Sequence, residues 1–214
     1  TAAEHPPRLA QPSASARAPD ATLDRPVTAW STIRSSRGTF EQLVSNSLTG
    51  SSATARGEFQ QRKPGQLSIR FTEPAGDRIV SDGRVVWIYL PSSTPGQVIK
   101  RSATGVNALP MDLTAQFLEE PRQKYDVSGG SPATVDGRAT RALVLLAKQG
   151  RQAPFPRATV WVDDVDAFIR QFEVVESTGI TRRVRITSLQ TNVPVDRDAF
   201  SFAPPKGVKV VEEA

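Results

Sequence analysis

The chain has 214 residues, 38% of them apolar, and 27 basic against 22 acidic side chains leave it a net charge of +5. That length suits one domain with a real core and is short for two, and no window approaches the roughly eighteen apolar residues of a membrane-spanning helix. Cysteine is absent and the single histidine is His5, which excludes disulfides and thiolate chemistry and leaves the body of the chain without an imidazole. The basic residues are mostly scattered arginines; Arg182, Arg183 and Arg185 form the one dense group and alternate within a strand, which argues against a nucleic-acid surface.

Residues 1–22 are rich in Ala, Pro, Ser and Arg and show no apolar period, so they read as a disordered tail or tether ahead of a single domain over 23–214. No apolar leader stretch precedes His5, so an exported protein would already have lost its signal peptide in this numbering. From Leu23 to Ser36 the spacing predicts a helix, with Asp24 as N-cap, Pro26 in the first turn and Val27, Trp30 and Ile33 as its apolar stripe. Gly38 closes it. Phe40 to Leu48 alternates as a strand, and a Ser/Thr/Gly loop leads into the stretch around which the chain is organised.

That stretch, Gly57 to Lys100, reads as four strands in succession. Leu67, Ile69 and Phe71 alternate with Gln66, Ser68 and Arg70, so one face is apolar. Pro64-Gly65 opens this strand and Glu73-Pro74-Ala75-Gly76 closes it. Asp82-Gly83 between Ile79-Val80 and Val85–Leu90 is a strong hairpin signal. Past Lys100 the period changes: Leu109, Leu113, Phe117 and Leu118 predict a short helix over 108–120, with Asp112 as its cap and Pro121 ending it. Strands then resume at Tyr125–Val127, Thr140–Ala147, Ala158–Val162, Phe168–Glu176 and Thr181–Gln190, with Asp136-Gly137 as a turn and a last short strand after Phe200.

Catalytic residues are not evident. Asp163, Asp164 and Asp166 are the only tight carboxylate cluster, but the glycine and closing Glu of a calcium loop are missing, so they read as a turn and not as a metal site. No phosphate-binding glycine motif stands between a strand and a helix, and no cofactor is expected. What remains is a mainly β chain of roughly eleven antiparallel strands, large enough to curl, with too few helices to cover both faces. Such a sheet, rolled without closing, leaves an apolar hollow that is the default ligand site; a solid core fits the same periodicity.

The motifs Phe40-Glu41-Gln42, Gly57-Glu58-Phe59, Lys63-Pro64-Gly65, Glu73-Pro74, Val80-Ser81-Asp82-Gly83, Val86-Trp87-Ile88-Tyr89 and Phe200-Ser201-Phe202-Ala203-Pro204-Pro205, in that order, resemble the outer-membrane lipoprotein carrier family, LolA. The resemblance runs from about Leu23 to Val211. It implies an incomplete antiparallel β-barrel with a helical lid over a hydrophobic cavity, and a periplasmic carrier of lipoprotein acyl chains. Such carriers receive cargo from an inner-membrane ABC transporter and deliver it to an outer-membrane receptor, with transient membrane contact. Proteins of the same architecture also carry other lipids or sense lipoproteins. On this resemblance Phe40, Phe59, Leu67, Ile69, Phe71 and Trp30 line the cavity, while Leu109, Leu113, Phe117 and Leu118 form the lid. One departure stands out. The family's Arg before the proline, which latches the lid, is Lys63 here, and Arg62 is displaced by one position onto the opposite face of the strand.

Overall fold

The computed structural model of the chain describes residues 19–103, 114–151 and 153–213. Its first element is helix α1, Pro19–Ser31. The helix starts before the expected Leu23 and stops before Ser36, and Pro26 lies inside it instead of in its first turn. Packing explains the difference: Leu23 is buried and Val27 and Trp30 pack on the same apolar cluster, and such burial outweighs the hydrogen bond a proline removes. The N–H groups of Thr32 and Ile33 close the helix on the carbonyls of Ala29 and Trp30 at 3.3 and 3.1 Å. Asn192 then clamps the turn, accepting the Arg34 N–H at 2.8 Å and donating to the Thr32 carbonyl at 3.2 Å.

The chain next enters β1 (Ser35–Asn46), β2 (Ser52–Arg62), β3 (Gln66–Glu73), β4 (Arg78–Asp82), β5 (Val85–Tyr89) and β6 (Gln97–Ser102). Two single-turn helices, α2 (Ala115–Leu118) and α3 (Pro121–Lys124), precede β7 (Tyr125–Val135), β8 (Arg138–Ala147), β9 (Arg157–Asp163), β10 (Ile169–Val175) and β11 (Ile180–Thr191). A 3-10 turn, Asp198–Phe200, and β12 (Lys209–Glu213) end the described chain. Gly57 to Lys100 therefore holds parts of five strands where four were expected. Pro121 stops α2 by opening α3, as a proline at the first helical position can.

The twelve strands of the described residues form one sheet in the order β12-β6-β5-β4-β3-β2-β1-β11-β10-β9-β8-β7, with β12 and β7 at its two edges. It is an unclosed, barrel-like sheet. Two antiparallel meanders, β1–β6 and β7–β11, meet where β1 pairs with β11. The turns follow from their residues: Asp136 and Gly137 both take positive φ, 46° and 75°, which suits the twist of a two-residue hairpin, and Asp82 accepts the N–H groups of Arg84 and Val85 at 2.7 and 2.8 Å. Gly38 has another role, since a Cβ there would lie 2.0 Å from the Ser188 carbonyl oxygen.

The inner face carries the core. Phe40, Phe59, Leu67 and Ile69 from one meander meet Leu143, Val160, Phe172, Val184 and Ile186 from the other. On the outer face the arginines stand in cross-strand register with carboxylates: Glu41 is opposite Arg56 on β2 and Arg185 on β11, Arg70 opposite Glu58, Arg183 opposite Glu173. Each of these pairs is an ion pair, so the positive charge is distributed along a ladder. The last segment crosses the same outer side, where Phe202 packs on Trp87 and Tyr89 at 5.7 and 5.9 Å between ring centroids.

Candidate functional site

The site is the inner face and what covers it. Alternation puts Ser36 and Phe40 of β1, Phe59 and Gln61 of β2, and Leu67 and Ile69 of β3 on that side, and all six are buried. Phe71 is half-buried and meets Phe40 edge to face, 5.6 Å between centroids at 84°. Register extends the wall: Phe59 stands opposite Ile69, Ile69 opposite Ile79, Ile79 opposite Ile88, and Ile88 opposite Ile99. An apolar row thus crosses five strands, and cross-strand neighbours share a face.

Over the inner face lie α1 and α2, whose Leu23, Val27, Trp30, Phe117 and Leu118 join its apolar cluster, while α3 packs against β7. Phe117 is 0% exposed and Leu118 4%. The Phe117 ring sits 5.1 Å from that of Phe172 and 6.4 Å from that of Phe155, so a four-residue helix drives one aromatic side chain into the middle of the cluster. Leu109, Leu113 and Asp112 lie outside the described residues. Between Trp30, Phe59, Leu118, Ile169, Ile186 and Leu189 a cavity of about 20 Å³ persists, room for one water molecule and not for a hydrocarbon chain. Among the described residues, Phe117 and Leu118 are buried in the apolar cluster of the inner face.

Lys63 holds the first helix. Its Nζ donates to the Trp30 carbonyl at 2.8 Å and lies 3.6 Å from the centroid of the Trp30 ring, an attraction between a cation and a carbonyl at a helix C-terminus as well as an aromatic face. Arg62 points the other way, over the Phe200 ring at 5.3 Å. Replacing Lys63 by Met should destabilise the protein by about 2 kcal/mol, seen as a melting temperature about 4–8 °C lower; an unchanged melting curve would remove Lys63 from the fastening of α1.

The carboxylate cluster serves the frame. Asp163 is buried and takes the guanidinium of Arg138, Arg170 Nε at 3.2 Å and the Val165 N–H at 2.8 Å. Asp164 pairs with Arg141 at 3.6 Å, and Asp166 with Arg138 at 3.1 Å. Burial by itself would raise the Asp163 pKa, but the Arg138 hydrogen bond, the backbone N–H groups and Arg170 together hold it far below the usual carboxylate range. This knot fixes the β9–β10 turn, whose Asp164 and Val165 carbonyls accept Arg25 of α1 at 3.0 and 3.4 Å.

Comparison with known proteins bears on this covered sheet. Residues 31–203 match the family model of the outer membrane lipoprotein carrier protein LolA. The chain belongs to the LolA family. Among curated relatives it is 26% identical over 181 residues to an outer-membrane lipoprotein carrier protein of Alkalilimnicola ehrlichii, covering 84% of this chain and 78% of that one. It is 27% identical over 188 residues to the carrier protein of that description from Cupriavidus necator, covering 85% and 83%. Among solved structures, an uncharacterized conserved protein of Thermus thermophilus shares the fold with a TM-score of 0.52 at 13% identity, covering 92% of this chain and 100% of that one.

Within a LolA-type sheet, half of the inner wall went unnamed in the sequence reading. Phe172, Val184, Ile186, Leu143 and Leu145 belong to it, and their alternation along β8, β10 and β11 was a signal that could have found them. Ser36 and Gln61 were also missed. Reading Ser36 as the end of a helix concealed which face of a strand it occupies.

Proposed function

We propose that this protein shields the acyl chains of lipoproteins between its inner wall and its lid and carries them across the periplasm from the inner to the outer membrane. The observation that carries the reading is Phe117, a fully buried ring that a four-residue helix delivers against Phe172 on the inner face. An acyl chain and a lid side chain compete for one surface. A chain of fifteen methylenes in water is unfavourable by about 12 kcal/mol, at roughly 0.8 kcal/mol for each, and a soluble carrier has to offset most of that. It also has to release its load, and a lid that refills the wall lowers the cost of leaving it empty. On this reading an inner-membrane ABC transporter loads the protein and an outer-membrane receptor or the membrane itself unloads it. The protein performs no catalysis in this role.

The wall itself is the place to test it. Ile69→Glu should abolish retention of phospholipid or lipoprotein fragments, as read by native mass spectrometry of protein purified from a bacterial host. Because Ile69 is buried, Ile79→Glu at a half-buried position of the same row provides a second variant less exposed to misfolding. Undiminished lipid in a folded Ile79→Glu protein would remove the row from the site.

A further inference from the structure

The cross-strand matching of arginine with carboxylate on the outer face breaks down where β1 begins and β2 ends. The Lys63 N–H bonds to the Arg34 carbonyl at 2.8 Å, one step beyond the pairing of Ser35 with Arg62. Two basic residues therefore face each other across the strands, an arrangement that destabilises a sheet pair. Arg34, Arg62 and Lys63 line one small cavity, and the rest of its lining is uncharged, with Ser35, Gln61 and Gln66 as its polar residues. Arg62 lies on the opposite face of β2 from Lys63, so this cavity straddles the rim between the two faces. Lys63 is engaged with the Trp30 carbonyl and ring, and Arg62 Nε donates to Gln66 Oε1 at 2.6 Å. The Arg34 guanidinium is exposed and makes no hydrogen bond or ion pair with the described residues.

We infer that Arg34, Arg62 and Lys63 form a rim site for a phosphate-type oxyanion. The inference goes beyond the carrier reading and does not depend on it. Two guanidinium groups and an ammonium around one cavity repel one another, and an anion seated among them replaces that repulsion with attraction. The chemistry selects the group. A guanidinium presents a fork of donors that matches two oxygens of a carboxylate or a phosphate; one fork uses up a carboxylate, whereas a phosphate keeps oxygens for a second fork and for an ammonium. Arg34 is the principal contact, because binding there breaks no existing bond. Only the oxygens have to enter the cavity, so a phosphodiester whose remainder stays outside fits it as well as free phosphate does.

Two probes test it, each titrated into the full chain at low salt: inorganic phosphate, and vesicles of phosphatidylcholine with or without phosphatidylglycerol. Arg34→Gln should weaken binding of the anionic probe about fivefold, the effect of one arginine beside an anionic group, and adding Arg62→Gln should weaken it further. Because Arg34→Gln breaks no contact and relieves the repulsion with Lys63, its melting temperature should be no lower than that of the wild type, which separates lost binding from lost folding. Arg157→Gln is the control. It removes the same charge at the far end of the sheet, where Arg157 is level with Ser45 through Val175 and Thr181, and it should bind like the wild type. Tighter binding of phosphatidylglycerol vesicles than of phosphate identifies a lipid headgroup as the ligand and the reverse a free oxyanion; either result upholds the site. If Arg157→Gln binds as weakly as Arg34→Gln, net charge alone holds the anion and the site is wrong. It is equally wrong if Arg34→Gln binds like the wild type, or if the wild type binds neither phosphate nor phosphatidylglycerol vesicles. None of these outcomes touches the carrier reading.

Discussion

Phe117→Ala should make the empty protein less stable and the loaded one easier to form. The ring is fully buried against Phe172 and Phe155, and removing a buried phenyl group ordinarily destabilises by about 3–5 kcal/mol, through lost transfer energy and the cavity left behind. In a protein whose core is only a core, that loss would accompany weaker ligand binding or none. On the carrier reading proposed above, the ring occupies space that the acyl chain takes, so whatever stabilises the closed form opposes loading. Affinity for a ligand that needs the open form rises with the fraction already open, and an increase of about tenfold is expected from a third of that energy. Chemical denaturation of the delipidated protein and titration with a fluorescent fatty acid read the two halves separately. A destabilised variant with weakened lipid binding would mean that Phe117 is part of the binding wall and not of its cover.

Asp163→Asn should be the most damaging change away from the wall. Asp163 is 1% exposed and neutralises Arg138 and Arg170 from within the sheet, the Arg170 side chain being 11% exposed. Removing one member of a buried ion network costs about 3–5 kcal/mol because the other charges stay behind, which corresponds to a melting temperature about 10 °C lower in a domain of this size. The pH dependence gives an independent check. The folded-state pKa lies below that of the unfolded chain, about 3.9, so the stabilisation is complete above about pH 4 and is lost as pH falls toward the folded value. Subtracting the stability curve of Asp163→Asn from that of the wild type should therefore give a plateau above about pH 4 and a decline below it. A difference that stays level down to about pH 2 would separate the carboxylate from the effect. Because this knot fixes the turn on which Arg25 of α1 rests, the variant should also loosen α1 over the cavity.

Much of the architecture was legible from local pattern. Alternation of period two in Leu67-Ser68-Ile69-Arg70-Phe71 and in Arg182–Ile186 identifies which side chains share a face, and Asp82-Gly83 and Asp136-Gly137 place two hairpins, because each signal depends on residues a few positions apart. The named wall residues Phe40, Phe59, Leu67 and Ile69 fall together on the inner face for that reason. The first helix was misplaced at both ends because its limits depend on what Leu23 and Trp30 pack against, and a proline that would break an isolated helix is tolerated where burial holds it.

Sequence alone determined the class of the protein: a curled antiparallel sheet with one apolar face, from periodicity and turn chemistry that act between neighbours in the chain. Only the tertiary structure decided that β1 joins β11, that β12 returns to lie parallel beside β6, that Phe117 packs against Phe172 and Phe155, and that Ser36 stands opposite Gln61. Those outcomes depend on which distant surfaces cover each other best, and a repeat of two along a strand states which way a side chain points without stating what it will meet.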